Sequence, residues 1–264
     1  MDKRKLHKLI DAAEGSNADA QYELATECRV GDHLERDYKL ALKWYSRAAK
    51  AGHVEALNDL GSMLLNGLGC PKDAEAAVEC YRKAAAAGHT EAMFNLALRY
   101  LHGDGVEMRA DYAASLLSSA AEEGHLEATG QLGTLFMLGN GVEQDYEAAA
   151  TFHWIAARDG DVTSIANLAS YRGKLEDLAL SGVQSVAMIR GHLISRGWGD
   201  APQKARAFAW YRWAAQKCEP DDDCADEVEF FEKMQESLSS EEKVECQIAL
   251  ADLEKRPGNV AVRA

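Results

Sequence analysis

Apolar residues along the chain follow helical spacing, and the pattern repeats with a period of 36 residues. Between Val54 and Asn66, alanine, leucine and methionine recur three or four residues apart, which predicts an amphipathic helix, named helix A. A second apolar stripe in residues 73–87 predicts another helix, named helix B. The period is marked by Gly52, Gly88, Gly124 and Gly160. Self-similarity at such a period indicates an array of helical hairpins.

The residues between the apolar runs predict where the helices begin and end. Gly67 and Gly69 follow helix A, and glycine readily adopts the left-handed conformation that a helix end needs. Gly61, inside helix A, leaves room for a close neighbour. One equivalent position before helix B predicts an N-cap and is occupied by Asp37, Asp73 and Asp145. Because a single hairpin cannot bury its own apolar face, we expect the units to stack into a solenoid.

The recurring residues carry a family resemblance. Each unit reads Ala-x3-Leu-Gly-x2-Met/Tyr, a Gly-x-Gly loop, Asp, and Ala-x2-Trp/Cys-Tyr-x2-Ala-Ala-x2-Gly. Over roughly residues 3–217 this pattern resembles the Sel1-like repeat family, which is similar to tetratricopeptide repeats with a slightly longer period. The resemblance implies an all-α fold, a right-handed α/α superhelical solenoid. The family hosts adaptors, scaffolds and regulators.

Caps are predicted at both ends of the array. Residues 1–15 match the end of a helix B and predict a lone capping helix, and residues 16–217 hold the repeats. Residues 218–264 are acidic, with two further helices expected at about Ala225–Glu236 and Ser240–Lys255 before a short tail. Terminal units must offer a polar outer surface, which suits a capping role for these helices.

The repeat is interrupted after Gly160. The next register glycine is Gly182, so 14 residues are missing from the period. We interpret residues 160–181 as a shortened repeat whose helices span Thr163–Tyr171 and Leu175–Leu180. The shortening is either sequence drift or a kink that shapes a groove.

Charge is concentrated near the C-terminal end. Residues 219–245 hold twelve acidic residues and two lysines, a net charge of −10 within a total of −14. Nucleic acid and anionic membranes favour a basic stripe, so neither is an expected partner. The acidic end either meets a basic partner or serves as a solvated cap that aids solubility.

Targeting signals are not evident. No run of 18 apolar residues is present, which predicts no transmembrane helix. The first residues, MDKRKLHKLIDAAEG, lack the apolar core of a signal peptide. A cytoplasmic location is therefore predicted.

No metal or cofactor site is predicted. His53, His89 and His125 each follow a register glycine, but equivalent positions on stacked repeats lie on the order of 10 Å apart and cannot share one ion. The sequence has no His-Glu-x-x-His motif and no Cys-x2-Cys pair. The Gly67-x-Gly69 motif ends a helix rather than following a strand, which argues against nucleotide binding.

The cysteines separate this chain from one branch of the family it resembles. The cysteine-rich, secreted branch has a helix-to-helix disulfide in each repeat and a suggested penicillin-hydrolysing activity. The six cysteines here do not recur in register, so reduced thiols are expected, although Cys218 and Cys224 flank the acidic break and could approach each other. Ser62 and Ser118 have no evident general base, which a nucleophile needs. A hydrolase therefore ranks last, and the chain is predicted not to be an enzyme.

The remaining candidate is the surface formed by helix A, which lines the concave side of tetratricopeptide-like solenoids. Asn58 and Asn95 are expected to hold an extended peptide through their amides, with Phe94 as an apolar anchor. The alternative is that this surface is only solvated. Trp198, in a Gly-Trp-Gly loop, either meets a partner or packs on the acidic cap. The candidate partner-binding residues are Tyr22, Glu23, Glu55, Asn58, Asp59, Ser62, Phe94, Asn95, Leu98, His102, Gln131, Thr134 and Trp198.

The predicted function is that of a non-catalytic interaction module, an adaptor, scaffold or regulator that binds a segment of a partner protein. The alternative, taken from bacterial proteins with this repeat, is an immunity or antitoxin-like protein that neutralises a specific toxin.

Overall fold

The computed structural model describes residues 3–198, 203–215 and 233–256. These residues form α-helices joined by short connections and contain no β-strand, which confirms the predicted all-α class. Residues 233–236 are also helical. The longer helices are α1 (Lys3–Glu14), α2 (Ala18–Val30), α3 (Tyr38–Lys50), α4 (Val54–Asn66), α5 (Ala74–Ala86), α6 (Thr90–His102), α7 (Ala110–Glu122), α8 (Leu126–Leu138), α9 (Tyr146–Arg158), α10 (Val162–Ser170), α11 (Arg172–Leu180), α12 (Gln184–Arg196), α13 (Lys204–Ala215) and α14 (Ser240–Lys255).

The chain divides into two compact units, Met1–Ala128 and Thr129–Ala264. In the first unit each helix A packs on its own helix B, α2 on α3, α4 on α5 and α6 on α7. Each helix B packs in turn on the next helix A, α3 on α4 and α5 on α6. In the second unit α9 packs on α10, α11 on α12, α12 on α13 and α13 on α14. Contacts are thus mainly between neighbours in sequence, as in an α-helical repeat array.

Aspartates begin the helices at the predicted positions. The Asp37 carboxylate accepts a hydrogen bond from the backbone N–H of Leu40, at the start of α3. Asp73 and Asp145 make the same contact at the starts of α5 and α9. An N-cap of this kind is worth about 1 kcal/mol, because it satisfies a backbone N–H that the helix leaves unpaired. The N-cap prediction is confirmed.

The two glycines of each Gly-x-Gly loop have different roles. Gly67 ends α4 in the left-handed conformation, with φ 70°. At Gly69 a Cβ atom would lie 2.4 Å from the carbonyl oxygen of Tyr38, and at Gly105 it would lie 2.4 Å from the backbone of Ala74. The loop of one hairpin therefore lies directly on the first turn of the preceding helix B. Only glycine allows this approach.

Gly61 makes the predicted close contact inside the hairpin. A Cβ atom there would lie 2.8 Å from the ring of Tyr81, whose side chain is fully buried between α4 and α5. The same relationship holds at Gly133 with His153 and at Gly191 with Tyr211. Glycine on helix A thus makes room for a ring from helix B.

The shortened repeat is formed by α10 and α11, with nine residues each instead of 13. The connection of seven residues seen between α4 and α5 shrinks to Tyr171 alone. These two losses account for the 14 missing residues. The second helix begins at Arg172, three residues before the predicted start, because Gly173 lies within the helix rather than ending it. As a result α12 also contacts α9 directly.

The last described helix covers α13. Eight residues of α13 are buried, among them Trp210, Tyr211 and Trp213. Leu250 and Leu253 of α14 belong to the same core cluster. The predicted helix at Ser240–Lys255 is thereby confirmed. The helix predicted at Ala225–Glu236, apart from residues 233–236, lies outside the described residues, as do Cys218 and Cys224.

Candidate functional site

One face of the first unit is formed by the same four positions of α2, α4 and α6. These positions lie three or four residues apart, so in each helix they line one side. Among them only Asn58 is buried, and the others are half-buried or exposed. We call this surface the helix-A face; it consists of Asp19, Tyr22, Glu23, Thr26, Glu55, Asn58, Asp59, Ser62, Glu91, Phe94, Asn95 and Leu98.

Register histidines cap the helices that carry this face. The Nδ1 atoms of His53, His89 and His125 accept hydrogen bonds from backbone N–H groups at the starts of α4, α6 and α8, at 3.2, 3.1 and 3.1 Å. A ring nitrogen accepts a hydrogen bond through its lone pair, so Nδ1 is the capping atom of each ring. Sequence reasoning missed this role. The signal was present, because Asn17 and Asp161 occupy the same register position and are common N-cap residues.

Two of these histidines also hold aromatic rings of the preceding repeat. The His53 ring stacks on Tyr22 at 4.4 Å between centroids, and the His125 ring stacks on Phe94 at 4.8 Å. The Nε2 atom of His125 lies 2.9 Å from the Glu91 carboxylate. The rings of Tyr22 and Phe94 are therefore fixed before any partner arrives. At the equivalent position between them stands Asn58 instead of an aromatic residue.

Asn58 and Asn95 are joined to each other. The Nδ2 atom of Asn95 donates to Oδ1 of Asn58 at 3.1 Å, and also to the Glu91 carboxylate at 3.4 Å. Asn58 is only 8% exposed, whereas Asn95 is half-buried. The bond between Asn58 and Asn95 thus joins α4 to α6, and Asn95 is the more accessible of the two amides.

Several candidate residues join the two helices of a hairpin. Ser62 lies beside the Tyr81 hydroxyl, and Thr134 lies 3.2 Å from the buried ring of His153. At the equivalent position, Thr26 hydrogen-bonds to the Tyr45 hydroxyl at 3.0 Å. In the third hairpin the same two positions hold Leu98 and Leu117. At this pair of positions, the residues from helix A and helix B are therefore either both polar or both apolar.

Tyr81 also bears on nucleophilic chemistry at Ser62. Burial raises the pKa of Tyr81 to about 12. A phenol with so high a pKa is a poor general base at neutral pH. Ser62 therefore gains no activation from the group it contacts.

Carboxylates dominate the charge of the helix-A face. Side-chain exposure is 92% for Asp19, 57% for Glu55 and 51% for Glu91. Asp59 lies beside the Tyr22 hydroxyl, whose pKa is raised by burial and by that carboxylate. The guanidinium group of Arg29, near this face, donates a hydrogen bond to the Tyr45 hydroxyl.

Gln131, Thr134 and Trp198 lie in the second unit, and His102 is exposed at the end of α6. Gln131 is half-buried. Trp198 packs on Trp154 at 5.9 Å between ring centroids, with the Arg196 guanidinium over both rings. Trp154 in turn stacks on His192 of α12. Trp198 is thus partly buried in an aromatic cluster formed by the α9–α12 contact.

His153 is the main titratable group of the second unit that sequence reasoning missed. Its side chain is 0% exposed, with Nδ1 2.9 Å from the Tyr171 hydroxyl. Asn167 lies 3.1 Å away and donates its amide to Nε2. Burial lowers the pKa of His153 to about 4, so the ring is neutral at physiological pH. Its partners saturate both nitrogens, which fits a structural role.

A groove of about 720 Å³ lies between α13 and α14. Two ion pairs lie at this groove, Glu176 with Arg256 and Lys204 with Glu242, and Glu245 and Asp252 also line it. Within the described parts of the chain, no group of three or more His, Cys, Asp or Glu side chains could hold a metal ion.

Other findings concern thiols and membranes. Cys28, Cys70, Cys80 and Cys246 are free thiols. Among the described helices, none is both long enough and apolar enough to cross a bilayer.

Comparison with known families agrees with the repeat register. The Sel1 repeat model matches residues 18–53, 54–89, 90–125, 126–161 and 190–217. The chain belongs to the Sel1 repeat family. Proteins of this family are generally protein-interaction modules and generally non-catalytic. The gap between residues 161 and 190 coincides with the shortened repeat.

Solved structures agree with the fold. A protective antigen of uropathogenic Escherichia coli with an SLR fold is 31% identical, at a TM-score of 0.62 over 80% of this chain; the chain spans 40% of that protein's length. A Sel1 repeat protein from Oxalobacter formigenes is 24% identical, at a TM-score of 0.59, and the match covers 82% of this chain and 80% of that one. The predicted all-α fold of repeated Sel1-like helical pairs is thereby confirmed.

A third solved structure, an immunity protein from Pseudomonas aeruginosa, is 21% identical at a TM-score of 0.42, over 92% of this chain and 86% of that one. No curated protein matches the chain.

Proposed function

We propose that this Sel1 repeat protein is a non-catalytic interaction module that binds a segment of a partner protein on the helix-A face of its first unit. The observation that carries the proposal is the repetition of this face. The helices A of three successive repeats expose the same four positions, and among these twelve residues only Asn58 is buried. A surface that recurs in register suits an extended segment, which can make the same contact several times.

The fixed aromatic rings support this function. Tyr22 and Phe94 are held by stacked histidines, so little side-chain entropy is lost when a partner binds them. Aromatic side chains are also common among the residues that dominate binding energy at interfaces. Asn95 adds an amide beside Phe94. We propose Phe94 and Asn95 as the central contacts, with Asn58 positioning Asn95.

The chemistry of the described residues supports a non-catalytic role. Ser62 meets a phenol with a pKa of about 12, and both nitrogens of His153 are engaged inside the core. Working as an adaptor or regulator in the cytoplasm remains a prediction, as does the immunity alternative.

The test is affinity capture with the full chain and two double variants. Phe94→Ala with Asn95→Ala alters the helix-A face, and Lys83→Ala with Ser119→Ala alters exposed helix-B positions in the first unit. We expect the first variant to bind the partner with a Kd about tenfold higher than wild type, a loss of about 1.4 kcal/mol in binding free energy. The second variant should bind the partner with an unchanged Kd. Titration calorimetry with the captured protein measures the difference.

Two results would count against the proposal. Equal affinity of both variants and wild type would remove the helix-A face from the function. If the purified chain converted a small molecule that co-purified with it into a product, the chain would be an enzyme. A captured protein that is toxic to cells unless this chain is present would favour the immunity alternative, with the helix-A face still in use.

A further inference from the structure

The charge on the helix-A face points to the chemistry of the partner, an inference that rests on the proposed function. The face contains acidic residues at five of its twelve positions and no lysine or arginine. Three of them, Asp19, Glu55 and Glu91, form one row along the first turns of α2, α4 and α6. Glu23 and Asp59 form a second row, one turn further along α2 and α4.

These carboxylates are accessible, and three of them lie against histidine rings. Asp19 lies 3.6 Å from Nε2 of His53, with 92% of its side chain exposed. Glu55 and Glu91 also contact histidine rings, yet more than half of each side chain stays exposed. Of the two guanidinium groups nearby, Arg99 pairs with Asp104, whereas Arg29 donates to the neutral Tyr45 hydroxyl and also interacts with Asp59. One cation thus stands against five carboxylates. The face therefore has an unbalanced negative charge.

In one pair of neighbouring helices, α3 and α4, the acidic and basic residues are separated. Helix α4 contains two acidic residues and no basic one. Helix α3, the helix B packed against it, contains Lys39, Lys43, Arg47 and Lys50 and no acidic residue. Between these two helices the negative charge therefore lies on α4, the helix that contributes to the helix-A face.

Aromatic rings lie beside the carboxylates. Tyr22 lies beside Asp59, and Phe94 stacks on the histidine that contacts Glu91. A lysine or arginine side chain gains from both kinds of group, through ion pairing with the carboxylate and cation–π contact with the ring. An acidic or purely apolar segment would gain from neither.

We infer that the helix-A face binds a basic, extended segment of its partner, whose lysine or arginine side chains meet the two carboxylate rows. Equivalent positions on successive repeats lie on the order of 10 Å apart, so the three helices span about 20 Å. An extended chain covers that span with about six or seven residues.

The test uses a fluorescein-labelled peptide of about nine residues with alternating lysine and alanine, and a matched peptide with glutamate in place of lysine. Binding to the full chain is measured by fluorescence anisotropy at about 50 mM and about 300 mM salt. We expect saturable binding of the lysine peptide, at least about tenfold weaker binding of the glutamate peptide, and weaker binding at high salt.

Two double variants with the same change in net charge locate the site. Glu55→Gln with Asp59→Asn removes carboxylates from the helix-A face, and Glu75→Gln with Glu79→Gln removes exposed carboxylates from α5. The first variant is expected to weaken lysine-peptide binding by about fivefold or more, and the second by less than about twofold. All four positions lie outside the buried core, and circular dichroism confirms that each variant folds.

The outcomes separate this inference from the proposed function. Equal weakening in both variants, or no saturable binding of the lysine peptide, would overturn the basic-segment inference. If capture of the natural partner still depends on Phe94 and Asn95 while its bound segment is acidic or uncharged, the proposed function stands and the inference fails. If capture does not depend on the face at all, both fail.

Discussion

Asn95 donates its side-chain amide to the buried Oδ1 of Asn58 at 3.1 Å, and this bond joins α6 to α4 across a repeat boundary. A typical intramolecular hydrogen bond contributes about 1 kcal/mol to stability, and Asn58→Ala also removes the packing of a buried side chain. We therefore predict that Asn58→Ala lowers the free energy of unfolding by about 1–2 kcal/mol. Urea denaturation measures it, with the exposed Asn66→Ala as the control. A loss no larger than that of the control would show that the bond contributes little.

The histidine caps predict a substitution pattern that distinguishes capping from other roles. His89→Ala removes the acceptor for the Ala92 N–H and should cost about 1 kcal/mol. His89→Asn should restore most of that loss, because Asn17 caps α2 at the same register position. Thermal unfolding of the two variants gives the comparison. If His89→Ala and His89→Asn destabilise the protein equally, the imidazole ring itself stabilises the fold and the N-cap hydrogen bond contributes little.

Glycines at two positions allow strain and crowding to be separated. Gly88 and Gly105 both have positive φ, 87° and 75°, but a Cβ atom meets nothing within 4 Å at Gly88 and lies 2.4 Å from the Ala74 backbone at Gly105. We predict that Gly88→Ala costs about 1–2 kcal/mol from backbone conformation alone, and that Gly105→Ala costs about 1–3 kcal/mol more. Both costs are measured as shifts in the midpoint of denaturant unfolding, provided that the variants share the same dependence of unfolding free energy on denaturant concentration. Similar costs would mean that the loop can move away from α5.

His153 predicts how stability depends on pH. Its folded-state pKa is about 4, whereas an unfolded histidine has a pKa of about 6.5, so between these values the unfolded chain binds the extra proton. Stability is then fully present above pH of about 6.5 and falls as the pH drops toward 4, by up to about 3 kcal/mol for this residue. His192, whose pKa is lowered to about 4 by burial and by Arg196, adds to the same trend.

The measurement is the free energy of unfolding at several pH values between about 4 and 7. His153→Gln should flatten the dependence, whatever its effect on stability at pH 7, while His102→Gln, at an exposed site, should leave it unchanged. An equally steep dependence in His153→Gln would assign the effect to other groups.

Helix boundaries were predictable where glycine and aspartate mark them. Helix α4 has the predicted bounds, and α5 begins directly after its Asp73 cap, because these residues act through local backbone geometry. The start of α11 was predicted three residues late, since the loop that normally separates the two helices is reduced to Tyr171.

Side-chain roles on the helix-A face were harder to predict, because they depend on which residue of a neighbouring helix lies opposite. Register alone placed Asn58 and Ser62 on that face. Register did not show that Asn58 is covered by α6 or that Ser62 contacts the Tyr81 hydroxyl. A comparison of Thr26 and Tyr45 with Ser62 and Tyr81 would have shown the second of these contacts, since both pairs join a hydroxyl on helix A to a phenol on helix B.

The short hairpin formed by α10 and α11 has a consequence for how the second unit unfolds. In a regular array each repeat touches only the next, so one repeat can open without disturbing those beyond it. Here α9 reaches α12 directly, through Trp154 against His192, and the small hairpin is enclosed by contacts on either side. These helices should therefore melt together as one cooperative block instead of fraying hairpin by hairpin.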